Sequence, residues 1–137
     1  MAQIELMKVY PALLILAFAT LFITSCTKGD TPTIPERTIK FILYTEEDFS
    51  TDNHNITFSL FIRTHSKTLF DSSLSTIKVK DIPNFANRLI FEKTVPDDDG
   101  SELAVGVDYT IENVGSSWYL DTCKAGQTFK EVNYSFK

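Results

Sequence analysis

The sequence is short of the residues that carry most enzyme chemistry. It has two Cys, two His and one Trp in 137 residues. His54 and His65 stand alone, with no H-E-x-x-H and no close His pair, so zinc chemistry is not expected. No Ser lies in a G-x-S-x-G or S-x-x-K setting, and no Gly-rich phosphate loop is present. Five Gly and five Pro exclude a collagen-like or low-complexity chain. Positive charge is in deficit. With 13 Lys+Arg against 18 Asp+Glu the net charge is -5, and an acidic chain is repelled by phosphate backbones, so no nucleic-acid partner is expected.

What is present begins with an apolar run, Val9 to Ile23, that is shorter than the roughly 20 residues needed to span a bilayer as a helix. It ends in Ile23-Thr24-Ser25-Cys26, the shape of a secretory signal followed by small residues. These four residues resemble the lipobox of bacterial lipoproteins. The resemblance implies that residues 1–25 are a cleaved signal peptide and that Cys26 is the lipidation site, carrying a thioether-linked diacylglycerol with further acylation (typically palmitate) on the new amino group. Two or more acyl chains anchor stably, so the expected partner is the membrane, reached through lipid at the cell envelope, with the outer membrane the expected location. Glu5 beside Lys8 is unusual before such a run, and Met7-Lys8 is the more typical start. Translation is therefore expected from Met7, and a Glu5-containing peptide in a processing-blocked precursor would sink that reading.

Residues 26–37 read as the lipidated Cys and a linker. Thr27 to Arg37 has no apolar period, and Pro32 and Pro35 favour an extended path of about 3.1 Å per residue, about 35 Å in all. In lipoproteins of the Bacteroidota, surface display goes with several acids just after the Cys. Lys28-Gly29-Asp30 has one, which leaves inner-leaflet and surface display both open.

From Thr38 to Lys137 the apolar period is two rather than 3.6. Ile39, Phe41 and Leu43 alternate with Lys40, Ile42 and Tyr44, and Ile56, Phe58, Leu60 and Ile62 with Thr57, Ser59, Phe61 and Arg63. Eleven Phe and five Tyr suit strands. Short strands punctuated by turn signals predict an all-β domain, a seven- to eight-stranded antiparallel β-sandwich, with at most one helical turn at Asn84 to Arg88. It is similar to the immunoglobulin-like or transthyretin-like domains of exported bacterial proteins, a likeness that implies no function. If every neighbouring strand reverses direction, loops 45–55 and 96–101 fall at the same end, away from the linker, and gather their acids there.

Within that frame Asp97, Asp99 and Glu102 are the candidate metal ligands. Calcium takes roughly six to eight oxygens, and carboxylates around the Gly100 turn could supply some, although the loop matches only a fragment of the calcium-loop pattern. The alternative is a solvated hairpin loop. Phe61 lies on the polar side of its strand beside Arg63, a candidate binding face, since aromatics and Arg are enriched at interface anchors. The alternative is a ring covered by a neighbouring side chain. Of Trp118 and Tyr119, adjacent in a strand, one is expected in the core and the other outside. Cys123 is expected as a small buried hydrophobe, with intermolecular pairing as the alternative. The functional expectation is a non-catalytic, lipid-anchored module that binds a protein or a glycan. A small-ligand carrier or inhibitor, a calcium-dependent adhesion module and a hydrolase with a carboxylate dyad in the acidic loops are the competing readings.

Overall fold

A computed structural model describes residues 33–97 and 99–137. The expected signal segment, Cys26 and all but the last residues of the expected linker lie outside the described residues. Eight strands form: β1 (Glu36–Thr45), β2 (Asn55–Arg63), β3 (Thr68–Ser73), β4 (Ile77–Lys78), β5 (Leu89–Pro96), β6 (Leu103–Ile111), β7 (Gly115–Cys123) and β8 (Phe129–Phe136). Among the described residues there is no α-helix. Two 3-10 turns occur, and the second, Phe85–Asn87, falls on the single turn expected there, with the Asn84 side chain accepting the Asn87 amide.

The strands build two sheets, ordered β5-β1-β8 and β3-β2-β6-β7, with β4 also paired to β2. The period-two pattern dictates the faces. Ile39, Phe41 and Leu43 of β1 meet Ile56, Phe58, Leu60 and Ile62 of β2 and Val105 and Val107 of β6 in one core. Burying each such side chain contributes about 1.5–3 kcal/mol.

Three expectations are corrected. First, the sandwich is not wholly antiparallel: β1 and β8, the first and last strands, pair in parallel from Thr38 opposite Phe129 to Thr45 opposite Phe136. Second, β1 starts at Glu36, before Thr38, because Arg37 shares the inward phase of Ile39 and is 1% exposed. Third, β3 and β4 both run antiparallel to β2, so they run in the same direction along one edge. At the interruption between them the Leu74 amide donates to the Phe58 carbonyl at 2.7 Å and the chain continues without reversing. Every later loop therefore changes ends. Loop 46–54 stays at the far end, but loop 97–102 lies at the entry end, where the Asp97 amide donates to the Pro35 carbonyl at 2.7 Å. The two acidic loops sit at opposite ends.

Candidate functional site

The metal candidates are not brought together. Asp97 Oδ1 accepts from Arg37 Nη2 at 2.6 Å and from the Gly100 amide at 3.0 Å, and Arg37 Nη1 donates to the Ser101 carbonyl at 2.6 Å. A buried guanidinium thus already neutralises Asp97. The Ser101 hydroxyl and amide hold Asp99 below the usual carboxylate range, with that amide 2.9 Å from Asp99 Oδ1. Glu102 is exposed, and Asp98 lies outside the described residues. Among the described residues, no three His, Cys, Asp or Glu side chains converge on a point that could hold a metal ion. At the far end Asp52 Oδ1 accepts from the His54 amide at 2.9 Å and faces His54 Nδ1 at 2.7 Å, which lowers its pKa. The Ser50 amide, then its hydroxyl, does the same for Asp48. His65 is at the other end of β2, as expected.

Phe61 does not offer a surface ring. It is 5% exposed, and the Arg63 guanidinium lies 4.4 Å from its centroid. Opposite it on β6 stands Gly106, and the ring occupies the space a side chain there would fill: a Cβ at 106 would sit 2.4 Å from Phe61 Cζ and 2.2 Å from the Tyr119 carbonyl oxygen. Arg63 in turn donates to Asp71 at 3.0 Å. The covering-side-chain alternative is the one the geometry realises.

The residue that does stand out on this face is Trp118. Tyr119, with Cys123, takes the inward phase of β7 and packs against Tyr134 at 5.5 Å, while Trp118 projects outward and is 68% exposed. Leu120 follows it on the same face, exposed. The row through Trp118 runs Asp108, Ser59, Ser73 across three strands. The next row toward the far end holds Ser116, Thr110 and Thr57. These hydroxyls pair across strands, Ser59 with Ser73 at 2.8 Å and Thr110 with Ser116 at 2.8 Å. Small side chains on the neighbouring strands leave the indole proud of the hydroxyl-bearing outer face, at its β7 edge. Its prominence was legible only as the adjacent pair Trp118-Tyr119. Which of the two faces outward follows from Cys123, whose burial fixes the phase of β7.

The two long seams of the sandwich differ. Between β7 and β8, Lys130 Nζ meets Asp121 Oδ2 at 2.7 Å beside the Tyr119–Tyr134 contact. Between β3 and β5 the entry half is closed by the Lys93 ammonium, 5.1 Å from the Phe70 centroid. The far half stands open as a slot of about 430 Å³ lined by Phe58, Leu74, Ile77, Leu89 and Phe91. Phe91 pairs with the fully buried Phe41 in the inward phase, yet is 37% exposed.

Cys123 is fully buried. Burial pushes its thiol up, against the pull of the Arg37 guanidinium, and its Sγ donates to the Gln127 carbonyl at 3.5 Å. Cys26, the expected lipidation site, lies outside the described residues. No family model, curated protein or solved structure matches this chain.

Proposed function

We propose that this chain is a non-catalytic, lipid-anchored module of the cell envelope, tethered at Cys26, that binds glycan on the outer face of its larger sheet. One observation carries the reading: the only Trp in the sequence is 68% exposed on the edge strand β7, beside a face of paired hydroxyls on the neighbouring strands. An indole presents a large apolar plane with a polar edge. The C–H face of a pyranose ring can stack on it while sugar hydroxyls donate to Asp108 and exchange hydrogen bonds with Ser59, Thr110 and Ser116. A protein partner fits less well, because a protein interface wants a contiguous apolar centre, and only Leu120 adjoins Trp118 here. The net charge of -5 favours a neutral or cationic glycan over a polyanionic one.

Binding rather than hydrolysis is supported by the carboxylates. A hydrolase dyad needs one acid whose pKa is raised. The acidic loops are at opposite ends, and Asp48, Asp52 and Asp99 are all shifted down.

The test uses that Trp as its own reporter. The full-length chain in detergent is titrated with dextran, xylan and mannan while indole emission is followed. Binding should blue-shift or quench emission with at least one polysaccharide, and Trp118→Ala should cost about 2 kcal/mol of affinity by calorimetry. Unchanged emission with every glycan, or full affinity in the variant, would remove the proposal.

A further inference from the structure

We propose that the open seam between β3 and β5 accepts an extended peptide strand from another protein, which adds to the free edge of β5 and lowers alternate apolar side chains into the slot. This site is separate from the Trp118 face and does not depend on the glycan reading. Three observations carry it. The edge itself is free: β5 pairs only with β1, so alternate backbone N–H and C=O groups from Leu89 to Pro96 point away from the sheet. The core beside it is uncovered: Phe91 is in the inward phase but 37% exposed. In a finished sandwich an inward Phe is covered, and the slot of about 430 Å³ beside it can take the side chains of an added strand, which recur on one face about every 7 Å. The charge is also unfinished: the Lys93 ammonium faces the Phe70 ring and, among the described residues, pairs with no carboxylate.

These features define the occupant. It is an extended segment with apolar residues at alternate positions and an acidic residue where it passes Lys93. Backbone hydrogen bonds would give it affinity and the slot would give it specificity. A second copy of this chain fits poorly. Two β5 strands joined about a two-fold axis centred on Glu92 or on Lys93 set a charge against itself. Centred on Phe91, they set each Lys93 against Leu89 in place of a carboxylate. An inward lysine is itself a guard against edge-to-edge pairing, and here it guards only the entry half of the edge.

The experiment presents the full-length chain in detergent with a fluorescent peptide of about nine residues, alternating Val and Thr with one central Glu. Anisotropy gives affinity, and hydrogen exchange locates the contact. The expected result is saturable binding with slowed exchange of β5 amides. Lys93→Glu should weaken it about fivefold, and a peptide with Lys in place of the Glu should recover it. Leu74→Trp, which fills the slot, should abolish binding while the thermal transition is retained. Trp118→Ala should bind the peptide as wild type does, so failure of the glycan reading leaves this result standing and the reverse. No binding by the wild-type chain, equal binding of a backbone N-methylated peptide, or β5 protection arising from concentration-dependent self-association would each overturn the proposal.

Discussion

Arg37 buries a guanidinium that the sandwich can hold only while Asp97 and the Ser101 carbonyl face it. Removing one partner of such a pair is costly because the other charge stays behind in a poor solvent. Asp97→Ala should therefore destabilise the domain by about 3 kcal/mol in urea unfolding, and a Arg37→Met/Asp97→Ala double variant should regain much of that loss. A change in Asp97→Ala of under about 1 kcal/mol would place the pair among surface ion pairs instead. Gly106 makes a second residue-scale prediction. Gly106→Ala drives a methyl into the Phe61 ring and the Tyr119 carbonyl, an overpacking worth about 1–3 kcal/mol. Added to Phe61→Ala it should cost less than alone, with the residual set by the backbone contact, and strict additivity in the double-mutant cycle would mean the ring is not what excludes the methyl. Arg37 was legible in part: it stands two residues before Ile39, in phase with the core, but its type and its place after Pro35 made it look like linker. The partner that lets it be buried is sixty residues away, and no local pattern encodes that. Phe61 carries the same lesson, since its cover is Arg63 on its own strand and its floor is a glycine on another.

At the scale of elements, strand identity followed from period-two patterning, because one buried face forces alternation. Strand direction did not. Ser72-Ser73-Leu74-Ser75 has the composition of a turn, and whether a chain there reverses or continues is decided by hydrogen bonding to β2, which local sequence does not specify. That single choice moved Asp97, Asp99 and Glu102 to the entry end and separated them from loop 46–54. The β7–β8 seam gives a prediction in pH. Burial works against ionisation of Asp121, but Lys130 and the Thr122 amide outweigh it and hold the carboxyl below its ordinary range. A depressed acid stabilises the fold fully above its unfolded value of about 4, and the contribution drains as pH falls through the lower folded value. Asp121→Asn should therefore melt below wild type at neutral pH, with the gap closing toward about pH 2. A gap independent of pH would assign the loss to packing rather than charge.

At the scale of the molecule, the chain enters beside Pro35, at the end that holds loop 97–102, while the Trp118 face and the β3–β5 slot lie along the flanks. A flank is reachable whether the tether lies flat or stands away from a bilayer, so glycan recognition should not depend on the anchor, whereas retention should. Cys26→Ser separates the two. The variant is expected to lose incorporation of labelled palmitate and to leave the membrane fraction, because one thioether-linked glycerolipid and its acyl chains supply all the membrane affinity the reading assigns. Its indole emission should respond to the same polysaccharide, at the same concentration, as the lipidated chain. Cells carrying it should bind less of that polysaccharide, in proportion to the protein lost from the membrane. If Cys26→Ser stays in the membrane fraction after alkaline carbonate washing, the apolar run before it is acting as an uncleaved anchor. If it is released but no longer responds to glycan, the lipid shapes the binding face, and recognition and anchoring are one function rather than two.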